Sequence, residues 1–164
     1  MLFTYFYLKA QNVNDMWLPK ADGDAPAILP VSSASAWKIT AIAAVGLIAH
    51  FMALRNVRQG NQSSLKTFGL IAFIASVIAL VLQIQQFGVM PFTFYNGTYA
   101  SCWYLFAVMN TVHLILTAFI SLGNWNRSRL GLYKSDHWHV DIVNVWWVWM
   151  VVSSLLGAFA LSFT

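Results

Sequence analysis

The sequence predicts an all-α polytopic membrane protein, with four transmembrane helices gathered into one bundle. Three observations predict it. Hydrophobic residues make up 59% of the 164 residues and charged residues only 9%, where a soluble domain carries about 25% charged residues. Four apolar runs reach about 18 residues or more, the length that crosses a hydrocarbon core of about 30 Å. Basic residues fall into alternate loops between those runs, the pattern that orients membrane helices. A soluble enzyme and a disordered chain are both excluded, the second because disorder needs low hydrophobicity. The net charge of +4 comes from nine Lys and Arg spread over loops and tail. With no basic stripe among them, no nucleic-acid partner is expected. The single cysteine, Cys102, forms no internal disulfide and reads as a small core or lipid-facing residue. The chain contains no Glu, which argues against a carboxylate-rich metal site.

Residues 1–35 read as an extramembrane or interfacial segment, and residues 36–164 as the four-helix transmembrane domain. Met1 to Leu8 is aromatic but too short to span. It lacks the basic start and small-residue cleavage site of a signal peptide, so an interfacial segment or a partner-docking strand is expected. Pro19, Pro26 and Pro30, with Asp22-Gly23-Asp24, make the following stretch extended. The spans are expected over 36–54, 67–87, 100–124 and 140–163, each helical because only a helix satisfies its own backbone inside lipid. Arg55, Arg58 and Lys66 mark the first loop, and Arg127, Arg129 and Lys134 the third. Loops 55–66 and 125–139 are therefore placed in the cytoplasm or matrix, and the second loop and both termini outside. Trp37, Tyr95, Tyr99, Trp125, Tyr133 and Trp138 gather at span ends as an aromatic belt would. Trp146, Trp147 and Trp149 lie deeper, so their indole N–H groups need partners or face a subunit or a lipid headgroup.

Polar residues inside lipid are where function is sought. His50 and His113 fall at similar depth on the first and third spans. Such a pair would suit bis-histidine haem ligation in a b-type cytochrome anchor; alternatively each histidine hydrogen-bonds between helices as packing glue. Asp136, His137, His139 and Asp141 cluster at the mouth of the last span. They read either as a capped, solvated helix start or as a proton-collecting surface of carboxylates and imidazoles. Gln83 and Gln86 can bond to neighbouring helices or headgroups. Asn96-Gly97-Thr98 matches a glycosylation acceptor and equally an ordinary turn. No nucleophile–base pair and no glycine-rich phosphate loop is found, and only Gly46 interrupts the first span, so a broken-helix transporter is disfavoured.

The stretch from Gln83 to Ser101 resembles subunit III of the haem–copper oxidases, as in cytochrome c oxidase. In that family a Gln precedes an acid–aromatic pair by three residues; here Gln83 precedes Gln86-Phe87. Pro91-Phe92, Asn96-Gly97 and Tyr99-Ala100-Ser101 follow with similar spacing. The family's two histidines three apart correspond to Asn110 and His113. Ala49-His50 resembles a step on the family's fourth helix, Trp17-Leu18-Pro19 and Leu29-Pro30 the approach to it, and His137, Asp141 and Trp147 the start of its last helix. The resemblance runs from about residue 17 to residue 163. Two departures stand out: four spans replace the family's seven or five, and Val148 and Val151 stand where the family has a His-Phe-x-Asp stretch. The resemblance implies a bundle like the last four helices of subunit III, in a non-catalytic accessory subunit of a respiratory-chain oxidase. It implies no cofactor in this chain. Haems and copper are expected in a partner large subunit, beside other respiratory subunits, membrane lipids and a bound phospholipid. It also implies a bacterial inner membrane, with the mitochondrial one second, and proton collection at Asp136, His137, His139 and Asp141. His50, Gln83, Gln86, Tyr99, Ser101, His113 and Trp147 are its structural motif residues.

Overall fold

The structure, a computed structural model, describes residues 2–11, 17–18, 27–133 and 137–163. Its elements are α1 (Leu2–Ala10), α2 (Ala34–Arg58), α3 (Gln62–Gly88), α4 (Thr98–Arg129) and α5 (Trp138–Leu161). No strand occurs among the described residues. Helices α2 to α5 are each long and apolar enough to cross a membrane. They run up and down around a ring in which α2 packs on α3 and α5, and α4 on α3 and α5; α2 and α4 sit at opposite corners. The fold is a polytopic membrane bundle, and its surface is inverted relative to a soluble protein. Ile48, Ile74, Ile115, Phe119 and Val145 point outward, where lipid rather than water is the favourable neighbour.

Helices α2 and α3 form the tightest pair. On α2 the buried face steps through Ala43, Gly46, His50 and Ala53, and on α3 through Gly69, Ala72, Ser76 and Ala79. These three- and four-residue steps put small residues on one stripe of each helix. Small stripes let backbones approach closely, and close van der Waals packing drives helix association where no hydrophobic effect operates. The turn between the two helices is equally short. Gly60 lies at φ 78°, its N–H donates to the Val57 carbonyl at 2.9 Å, and the Asn61 N–H donates to the Asn56 carbonyl at 2.9 Å. This is a Schellman ending, which needs a left-handed residue after the helix. The Asn61 side chain then caps α3 by accepting from the Ser64 N–H at 3.1 Å. Helix α4 ends in the same way around Gly131.

Two sequence expectations change. Of the forms expected for the N-terminal stretch, the docking strand is replaced by a helix, α1, seated on this chain's own α4 and α5. Tyr5 and Lys9 lie one helical turn apart and both find partners there. Tyr5 is fully buried against Trp17 and Phe106, and Lys9 Nζ donates to the Phe163 carbonyl. Of the six belt residues, Tyr99 and Tyr133 are core residues at 0% and 3% exposure. Their hydroxyls are held by protein, Tyr99 accepting from the Val31 N–H at 2.9 Å and Tyr133 donating to Asn124 Oδ1 at 2.5 Å. Cys102 is likewise buried in the core.

Candidate functional site

At the loop end of the bundle, away from the termini, packing of α2 on α5 brings the last turn of one helix to the first turn of the other. Arg58 Nη2 there donates to Asp141 Oδ1. The other carboxylate oxygen, Oδ2, lies 2.9 Å from His137 Nδ1, one helical turn earlier. All three side chains keep contact with solvent. The Asp141 carboxylate thus bridges a guanidinium on α2 and an imidazole at the start of α5. His139 is not part of it: its ring stacks on Trp138 at 3.7 Å and meets the Tyr133 edge at 6.4 Å. Asp136 falls outside the described residues. Sequence reasoning missed Arg58, which stands 83 positions from Asp141; no local pattern joins them. Beside the site, burial pushes the Tyr133 phenol up, and the Arg127 guanidinium, 5.6 Å from its ring, opposes that shift.

About two turns before Arg58 on α2, His50 is 1% exposed, and its Nε2 lies 3.1 Å from the Val140 carbonyl. Its other neighbour is the buried Trp147 indole, stacked at 6.5 Å. Trp147 lies over Gly46, where a Cβ would come within 2.4 Å of the ring. His113 sits on the opposite corner helix. Its ring meets the edge of Trp146 at 6.0 Å, whose indole N–H donates to Thr117 Oγ1 at 2.9 Å. The two imidazoles thus serve different surroundings, each with its own indole beside it. The packing reading of His50 is favoured over the bis-histidine haem reading.

Toward the terminal end, three amides form a chain. Asn110 Nδ2 donates to Gln83 Oε1 at 2.7 Å, Gln83 Nε2 to Gln86 Oε1 at 3.0 Å, and Gln86 Nε2 to Ser35 Oγ at 2.7 Å. Helices α4, α3 and α2 are tied together through residues at 3% (Gln83) and 6% (Gln86) exposure. The sequence suggested bonds to helices or headgroups; they go to helices. Ser35 carried no signal that could have marked it as the last link. Nearby, Ser101 Oγ donates to the Phe94 and Gly97 carbonyls at 2.8 and 3.0 Å, which pins the loop before α4. In that loop the Asn96 Oδ1 accepts from the Thr93 N–H and hydroxyl, each at 2.6 Å, as an ordinary turn requires. Beside the amide chain, α4 and α5 separate around a cleft of about 500 Å³.

No family model matches the chain. It is 30% identical over 103 residues to the cytochrome c oxidase subunit 3 of Trichophyton rubrum, covering 57% of this chain and 37% of that protein. It is 26% identical over 106 residues to the cytochrome c oxidase subunit 3 of Emericella nidulans, covering 58% and 38%. The chain thus spans less than two fifths of the length of either relative. Motif resemblance and relatives agree on one family, subunit III of cytochrome c oxidase.

Proposed function

We propose that this chain is a non-catalytic, subunit III-like component of a haem–copper terminal oxidase, supporting assembly, lipid packing and proton arrival for aerobic electron transport. One observation carries the reading. The residues that resemble subunit III are those that hold this bundle together: Gln83 and Gln86 in the amide chain, Tyr99 and Ser101 at the start of α4, and His50 with Trp147 in the core. Dioxygen reduction would take place on a neighbouring large subunit that carries the haems and copper. Proton pumping would also take place on that subunit. Lipid would cover the outward apolar faces of α2 to α5, including a bound phospholipid. Of the four residues expected to collect protons, His137 and Asp141 support that role: Asp141 meets His137 through one carboxylate oxygen and Arg58 through the other. Both named relatives are fungal, which favours a mitochondrial inner membrane over the bacterial one expected from the sequence. Loops 55–66 and 125–139 would face the matrix or cytoplasm, with the C-terminus on the other side.

The test is purification of the tagged chain in mild detergent, with identification of co-purifying proteins and an optical spectrum. A haem-bearing large subunit should accompany it, and the separated chain should show no Soret band. A Soret band in the isolated chain, lost on replacing His50 or His113, would instead establish the cytochrome anchor.

A further inference from the structure

The seam between α3 and α4 carries two cations at its loop end. Gly69 on α3 lets the helices touch there: a Cβ added to it would lie 3.8 Å from the Trp125 Cα on α4, so the two residues stand at one height. The two helices run in opposite directions. Lys66, three residues before Gly69, and Arg129, four residues after Trp125, therefore both lie toward the loop end, about 4.5 and 6 Å beyond that contact at 1.5 Å per residue. Both side chains are exposed. Neither has an ion pair among the described residues. Asp141 bears the one carboxylate side chain among those residues, and Arg58 and His137 already hold it.

Beneath the cations the seam turns aromatic and then aliphatic. Arg129 Cζ sits 5.0 Å over the Trp125 ring, which fixes where the guanidinium stands. The Trp125 ring stacks on Phe73 at 6.1 Å with an interplanar angle of 4°. Phe73 is two turns from Lys66 on the same face of α3. One turn further along each helix come the exposed side chains of Val77 and Leu122. From Lys66 to Val77 the rise is about 16 Å, half of a hydrocarbon core of about 30 Å. Charge, an aromatic pair and an aliphatic strip thus follow one another as the layers of a single leaflet do, with the indole at headgroup level.

We propose that this seam holds one anionic phospholipid, its phosphodiester between Lys66 and Arg129 and its acyl chains along Val77 and Leu122. Basic pockets between membrane helices take anionic headgroups. Here the guanidinium supplies a fork of N–H donors and the ammonium a point charge. A zwitterionic lipid fits less well, because it brings an ammonium of its own beside two cations that lack a counter-charge. The lipid also joins α3 to α4 at the end where the amide chain does not reach. The proposal gives the phospholipid of the proposed function a place and a charge, and rests on that reading only for the membrane. It is measured on the full chain alone, whereas the oxidase reading is measured by co-purification, so either can fail without the other.

The experiment places the full chain in phosphatidylcholine nanodiscs and adds phosphatidylglycerol with brominated chains, which quench tryptophan on contact. Brominated phosphatidylcholine sets the unselective level. Excess quenching by the anionic lipid is expected, saturating at one lipid per chain. Arg129→Gln and Lys66→Gln should each raise its midpoint about fivefold, the share of one basic residue at a lipid surface. Arg55→Gln removes an equal charge from the last turn of α2 and should leave the midpoint unchanged. If Arg129→Gln loses wild-type circular dichroism, Lys66→Gln decides the matter alone. Equal quenching by the two lipids would overturn the proposal. So would a midpoint that Lys66→Gln does not move, or one that Arg55→Gln moves as far, since the charge would then act diffusely. Displacement of the lipid by an equimolar amount of glycerol phosphate would overturn it too, by making the pair a site for soluble phosphate esters.

Discussion

Gly46 is the residue on which the middle of the bundle turns. Its missing side chain is the space that the Trp147 ring occupies, and Trp147 in turn packs beside His50. Gly46→Ala should therefore destabilise the chain by about 1–3 kcal/mol, the cost of overpacking a filled core. The thermal midpoint of the chain in detergent checks this, and Gly46→Ala combined with Trp147→Leu should recover part of the loss. The amide chain makes a second demand at this scale. Gln83→Leu removes the group that both accepts from Asn110 and donates to Gln86. It leaves buried amide groups unmatched, and about 1–3 kcal/mol should be lost. Gln83→Glu, read by the same melt, should be worse than Gln83→Asn, because an uncompensated charge is harder to bury than a shortened amide. The residue types at these positions were legible in the sequence, but their partners were not. Gln83 and Gln86 announced themselves as polar groups in an apolar run, whereas Ser35 and Arg58 sit in polar stretches where nothing sets them apart.

At the scale of elements, the four spans were legible because hydropathy alone demands them, but their ends were not. Helix α4 runs over 32 residues, about 48 Å at 1.5 Å per residue, well beyond a core of about 30 Å. Its final turn, with Asn126, Arg127 and Arg129, is polar and so falls outside any apolar count. Helix α1 was not legible at all. Nine residues are too few for a stable isolated helix, so its form follows from Tyr5 and Lys9 meeting the rest of the chain. Tyr5→Ala should loosen α1, at a cost of about 3–5 kcal/mol if the large aromatic cavity stays open. Faster amide exchange confined to residues 2–11 would show the loosening is local. The turn after α2 should be sensitive in a different way. Gly60→Ala keeps every contact but places a Cβ at φ 78°, at a cost of about 1–2 kcal/mol.

For the whole molecule, a proton-collecting role can be separated from a structural one. The Arg58–Asp141 pair is solvent-exposed in part, and exposed pairs contribute about 0–1 kcal/mol. Asp141→Asn with His137→Gln should leave the fold and the partner's haem absorbance unchanged while slowing proton uptake modestly in the assembled oxidase. Normal turnover and pumping in the double variant would remove that role. The amide chain has a consequence of its own at this scale. Any membrane that sustains an electrochemical gradient exposes the two ends of a protein to different acidity. A fastening made from carboxylates or imidazoles would loosen or tighten as that difference rose and fell. Asn110, Gln83, Gln86 and Ser35 have nothing to gain or lose in that range, so the clasp joining three helices stays shut whether the membrane is energised or at rest.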